Sequence, residues 1–225
     1  MEDMRLNSFS LKITCDGGAA TGKSTGAKLI AKKYKLAFLS SGLLYRYASY
    51  LILKHKPKNN IFFLKKKFKS LNYKELNRYN LHTPKISEHS AEIPKLLKVR
   101  NILKKYQKEF IKKNKGCVLE GRDASTKILP SSDVKFFFIC NLNTAAKRRY
   151  NELRKKTHNL SFNEVKRALY KRNLSDKTRS ISPLQKHTSA IVINSAKYDK
   201  LSMVAKMSKY VEKFLIKKYG IRTRN

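Results

Sequence analysis

One octapeptide constrains this chain more than any other feature. Gly17-Gly18-Ala19-Ala20-Thr21-Gly22-Lys23-Ser24 satisfies the pattern G-x-x-x-x-G-K-[ST]. Small residues let the backbone curl so that successive N–H groups point inward and cradle phosphate oxygens. A helix beginning there would add the positive end of its dipole. Lys23 would reach the β- and γ-phosphates, the Ser24 hydroxyl would take a place on Mg²⁺, and Thr25 extends the polar helix start. The context supports the motif. Leu11–Cys15 (LKITC) reads as a buried strand ending at Asp16, and an amphipathic run with Ala27, Leu29, Ile30, Ala31 and Tyr34 follows. Strand, loop and helix in that order are what the mechanism requires, and they imply that a nucleoside triphosphate is a ligand.

The rest of the chain repeats the alternation. Ala37–Leu39, Cys117–Leu119, Val134–Ile139 and Ala190–Ile193 read as further strands, and helices are expected over 23–34, 43–54, 96–113, 144–156, 161–174 and 200–218. Strands alternating with helices of this length imply βαβ units and a doubly wound, mostly parallel five-stranded sheet, an α/β fold. Residues 55–95 hold Pro57, Pro84 and Pro94 and no long periodic run, so they read as an insertion. Residues 157–187, crowded with Arg, Lys, Ser, Thr and Asn, read as a mobile cover, and Ile221–Asn225 as a frayed end. The expected organisation is a single domain over 1–225.

Composition narrows the class. The 225 residues carry 52 Lys+Arg against 15 Asp+Glu, a formal charge of +37, but 41% hydrophobic content supplies a full core and argues against disorder. The cations are spread along the chain in pairs and triplets such as Lys65-Lys66-Lys67, on polar faces of helix candidates. They draw anions in and favour non-specific nucleic-acid binding at low salt, without any zinc-finger, RRM or KH pattern to suggest a specific nucleic-acid partner. No stretch reaches the ~18 apolar residues that a membrane span needs. The first ten residues have no apolar h-region, and Cys15, Cys117 and Cys140 lack metal-ligand spacing. A cytoplasmic, reduced protein is expected, monomeric because no exposed apolar helix face stands out. His82, His89, His158 and His187 have no partner at triad or ligand spacing and read as surface or turn residues.

Arginines at isolated places are candidate phosphate contacts, since the guanidinium offers a rigid two-pronged fork. They are Arg46, Arg100, Arg122, Arg172 and Arg179. Their surroundings resemble those of bacterial cytidylate kinases. Ser40-Ser41-Gly42-Leu43-Leu44-Tyr45-Arg46 is similar to that family's D-[ST]-G-x-x-Y-R segment. Glu120-Gly121-Arg122-Asp123, then Pro130 and the strand Val134–Ile139, resembles its D-G-R-D…P-D-A-x-x-K-I-F-L block. Arg148-Arg149-Tyr150 resembles A-x-R-R, and Arg172 through Arg179 followed by Pro183-Leu184 resembles R-D-x-x-D-x-x-R…P-L.

The resemblance implies a P-loop nucleoside monophosphate kinase fold in which 55–95 is the monophosphate-binding insertion and 157–187 the lid. It implies transfer of the γ-phosphoryl of ATP, with Mg²⁺, to CMP or dCMP. Arg46 and Arg122 would hold the acceptor phosphate, with Ser41 and Tyr45 beside them. Arg100, Asp123 and Arg179 would read the cytosine, and Arg172 and Asp176 would lie over the sugar and the transferring group. Lys23, Arg122 and Arg172 are the expected catalytic cations. Ser40 stands where the family usually has Asp, and Asn173 and Ser175 replace an acid and an Arg of the lid motif. Two alternatives stay open: a small P-loop kinase with another acceptor, and a basic nucleic-acid-binding P-loop protein.

Overall fold

The computed structural model describes residues 10–154 and 160–220. The expected frayed end Ile221–Asn225 and His158 lie outside them. The described chain divides into two compact units, one formed by the stretches up to Phe38 and from Gly116 onward, the other by Leu39–Lys115.

The first unit is built on a five-stranded parallel sheet. Its strands are β1 (Lys12–Gly17), β2 (Ala37–Ser40), β3 (Cys117–Gly121), β4 (Val134–Ile139) and β5 (Ile191–Asn194), in the order β2-β3-β1-β4-β5. β1 is central, pairing Asp16 with Gly121 on one side and with Phe137 on the other. A central parallel strand is covered on both faces, which is why Ile13, Thr14, Cys15 and Asp16 are all fully buried and why the sequence there does not alternate. Helices α1 (Lys23–Lys33) and α8 (Lys200–Tyr219) pack Ala27, Ile30, Ala31, Met203, Met207, Val211 and Leu215 against Ile13, Phe136, Phe138 and Ile193. The approach is close. A Cβ on Gly26 would lie 2.7 Å from the Phe138 ring and 3.2 Å from the Met207 sulfur, so only glycine fits there without a shift. Helices α6 (Leu142–Leu153) and α7 (Phe162–Thr178) form a smaller core around Ala145, Ala146 and Leu169.

All five expected strands are present, each within two residues of its expected ends. The helix expected over 161–174 extends to Thr178, so much of the stretch read as a mobile cover is regular helix. It carries Arg172 and Asp176 four residues apart, hence on one face.

The second unit contains α2 (Ser41–His55), α3 (Asn60–Lys69), α4 (Pro84–Glu92) and α5 (Leu97–Lys113). α3 and α4 fall where no long periodic run was seen. They have ten and nine residues, too few to show a period, but both begin at side-chain caps: Asn59 accepts from Ile61 and Phe62 N–H, and Thr83 accepts from Ile86 N–H just before Pro84. Residues 55–95 bury Leu64, Phe68, Leu76, Leu81, Ile86 and Ile93. An edge-to-face contact joins Phe68 to Tyr47, and Tyr79 leans on both Tyr47 and Tyr50. His89 lies half-buried within α4 instead of in a turn.

Candidate active site

In the first unit, β1 runs directly into the glycine-rich loop and α1 begins at Lys23. A Cβ on Gly17 would come 2.5 Å from the Phe138 carbonyl oxygen, so the loop can leave the sheet this closely only without a side chain. Ala20 takes the left-handed region at φ 58°. No side chain caps α1: Gly22 occupies the cap position at φ 78°. The helix start therefore presents N–H groups without a side-chain acceptor, as anion binding demands.

Lys23 is buried, and its ammonium donates to the Gly18 carbonyl at 3.1 Å and lies 3.3 Å from Glu120 Oε1. Burial lowers its pKa from 10.5 to about 8, helped by the positive Arg122 and opposed by Glu120. The Thr21 hydroxyl closes the loop by donating to Gly18 O at 2.9 Å. Asn173 reaches from α7 and accepts from the Ala19 N–H at 2.8 Å.

A cationic cluster stands beside the loop. Arg122 Nε donates to Asp176 Oδ2 at 2.8 Å, and Arg179 lies 3.6 Å from the other oxygen of the same carboxylate. Burial alone would raise Asp176, but Arg122, Arg172 and Arg179 outweigh it and hold the carboxyl below its ordinary range. Burial and the charge of Arg122 bring Arg172 down to about 10. Arg122 itself is raised: burial works against its charge, and Asp176 and Glu120 more than compensate. Asp123 is buried one residue away.

The second unit holds the remaining expected residues. Arg46 is 8% exposed and donates from one nitrogen to the Leu81 carbonyl at 2.9 Å and the Ser87 hydroxyl at 2.8 Å. Arg100 is 6% exposed and donates to the Tyr45 hydroxyl at 3.3 Å and the Pro94 carbonyl at 3.4 Å. Ser41 donates to Gln107 Oε1 at 2.9 Å. Ser40, where an acid was expected from the resemblance, accepts from Leu43 N–H and caps α2.

Two carboxylates at this site escaped the reading of site residues from sequence. Glu120 holds the loop lysine. Asp16 is wholly buried and accepts from Ala124 N–H, Ser125 N–H and the Ser125 hydroxyl at 2.8, 2.7 and 2.6 Å. Burial pushes its carboxyl up, against hydrogen bonds that favour the ionised form. The signal was an acid closing the strand that leads into the glycine-rich loop.

A hard divalent cation fits the donor set. The Ser24 hydroxyl, exposed on the first turn of α1, is an oxygen donor of the kind such a cation takes. Among the described residues no group of three His, Cys, Asp or Glu could hold a metal ion.

A parallel sheet in this order with a phosphate loop after its central strand defines a P-loop kinase fold. A solved structure of shikimate kinase from Bacteroides thetaiotaomicron superposes with a TM-score of 0.51 over 90% of this chain and 98% of that one, at 11% identity, a likeness of fold alone. The cytidylate kinase family model matches residues 13–213, and the chain belongs to that family. A cytidylate kinase of Bartonella tribocorum is 36% identical over 189 residues, 82% of this chain and 86% of that one. One from Clostridium tetani is 32% identical over 221 residues, 92% of this chain and 96% of that one.

Proposed function

We propose that this chain transfers the γ-phosphoryl group of ATP to CMP or dCMP, giving CDP or dCDP and ADP. The observation that carries the reading is the family match over residues 13–213, which encloses both the phosphate loop and the Arg122–Asp176–Arg179 cluster.

Residues Gly17 to Thr25 hold the triphosphate. Lys23 is poised for this, because its present partners are one carbonyl and one carboxylate that an incoming phosphate can replace. Ser24 would hold Mg²⁺, which would supply charge neutralisation at the triphosphate. Arg122 and Arg172 neutralise charge on the equatorial oxygens of a loose transition state. The bond from phosphorus to the β–γ bridging oxygen breaks while one forms to an acceptor phosphate oxygen. That oxygen is ionised near neutral pH, so no general base is required. Arg122, Asp123, Asp176 and Arg179 are acceptor residues of the first unit, and Ser41, Tyr45, Arg46 and Arg100 are those of the second.

We read the chain as one P-loop kinase domain with 55–95 as monophosphate-binding insertion and 157–187 as lid, monomeric and cytoplasmic. Among the described residues no helix is long and apolar enough to cross a membrane. The test is ADP release from MgATP with CMP, dCMP, UMP and AMP in parallel. Saturable turnover with CMP and dCMP, lowered by orders of magnitude in Lys23→Ala, is expected. A flat response to all four in a preparation that still binds ATP would refute the acceptor.

A further inference from the structure

The turn that carries Arg122 and Asp123 is fixed from outside itself. β3 ends at Gly121, and a single π-helical turn begins at Ala124, with Asp123 in the cap position but making no cap hydrogen bond. The first two N–H groups of that turn go instead to Asp16, on the neighbouring strand, one to each carboxylate oxygen. The Ser125 hydroxyl adds a third donor at 2.6 Å.

We propose that Asp16 is a positioning residue for acceptor recognition: its carboxylate clamps the backbone immediately behind Arg122 and Asp123 and fixes where those two side chains point. The proposal rests on the assignment of Arg122 and Asp123 to the acceptor nucleotide. Two features make the clamp specific. Asp16 immediately precedes Gly17, so the strand that anchors the phosphate loop also anchors the acceptor-reading turn. In addition, the two backbone donors use different oxygens, so the clamp needs a side chain with two acceptors. Asn has the same shape and offers one. In Asp16→Asn the amide nitrogen would face a backbone N–H, leaving a buried donor without a partner and releasing one end of the turn.

The test is steady-state kinetics of wild type, Asp16→Asn and Ser125→Ala, with CMP and UMP as acceptors, alongside thermal unfolding. Asp16→Asn is expected to raise KM for CMP about tenfold, the cost of one orphaned buried donor, and to narrow the CMP-to-UMP ratio of kcat/KM, while KM for ATP changes less than about threefold. Ser125→Ala keeps both backbone bonds and loses one donor, so KM for CMP should rise about threefold in the same direction. If CMP affinity and selectivity are unchanged in both variants, or if ATP and CMP suffer equally, Asp16 is a structural residue and the proposal fails. Should Asp16→Asn not fold, Ser125→Ala decides by the same criteria. A wild-type enzyme without CMP turnover would overturn the acceptor assignment itself, and the proposal with it, before any variant is compared.

Discussion

Affinity for ATP should fall as pH rises through 8, and Lys23 should be the cause. Its ammonium is buried beside Arg122, which lowers its pKa from 10.5 to about 8. The difference corresponds to about 3 kcal/mol by which the folded, ligand-free protein disfavours the charged lysine. The sign is that of a base with a lowered value: protonated below pH 8, neutral above it. If only the ammonium grips phosphate, the competent fraction is roughly three-quarters at pH 7.5 and one-tenth at pH 9, a loss of about eightfold in affinity. Starting at pH 7.5 keeps the triphosphate's own last ionisation out of the measurement. Direct titration with a fluorescent ATP analogue, without Mg²⁺, reads this. Lys23→Arg should be flat over the same range, because guanidinium does not deprotonate there. Glu120→Gln removes the carboxylate that now supports the ammonium, so its midpoint should move below 8. Flat binding in wild type, or an equal fall in Lys23→Arg, would show that the buried lysine does not govern the interaction.

Two further results follow from packing and pairing. Asp176 bridges Arg122 and Arg179, so Asp176→Asn should destabilise the protein by about 2–3 kcal/mol at pH 7 in denaturant unfolding. Because the folded value is depressed, that stability is present above the unfolded carboxyl's pKa and is lost as pH falls through the folded value, so wild type and variant should converge in acid. Gly26→Ala gains ~1 kcal/mol of helix propensity but forces a Cβ to 2.7 Å from the Phe138 ring, an overpacking cost of about 1–3 kcal/mol. A net loss of up to about 2 kcal/mol is expected, largely recovered by adding Phe138→Leu, with thermal unfolding as the readout.

The sheet was legible because its strands announce themselves twice, as short apolar runs and by their spacing between helical periods. Val134–Ile139 is the plainest case: Phe136 and Phe138 point into the core with α8. The phosphate loop was legible for a different reason, that phosphate cradling demands small residues at fixed offsets. Short helices hid. In α3, Leu64 and Phe68 are the buried residues of a ten-residue helix that also carries four lysines, so the buried stripe is two residues wide and a cap was the better sign. Arg46 and Arg100 stand out in the sequence as isolated arginines, and both prove to be buried and held by hydrogen bonds. Side-chain roles were obscured where two elements far apart in sequence meet. Asp16 and Ser125 are 109 residues apart, and Ala19 and Asn173 are 154 apart. Such pairs leave no local pattern. The replacement of an acid by Asn173 in the lid motif looks like a loss in sequence, whereas the folded side chain closes on the phosphate loop.

The charge imbalance becomes intelligible from where the few acids went. With 15 carboxylates against 52 cations, chance would leave acids scattered on the surface. Yet the acids that are fully buried among the described residues are Asp16, Glu120 and Asp123, all at the ends of β1 and β3 or in the turn beyond, and Asp176 joins them through Arg122. Burying a carboxylate costs several kcal/mol unless donors or cations compensate, so this placement is not free. It has a purpose that electrostatics can name. A site built to take a triphosphate gathers cations, and burial lowers Lys23 and Arg172, with the charge of Arg122 lowering both further. Without the Glu120 carboxylate the lysine's pKa would fall further. Glu120 counters this at Lys23 and Asp176 does so at Arg122, each at a distance that a phosphate oxygen can compete for. The solvent-facing lysines need no such arrangement, because water screens them. The outer charge can therefore be large while the inner charge stays closely matched, and function depends on the second.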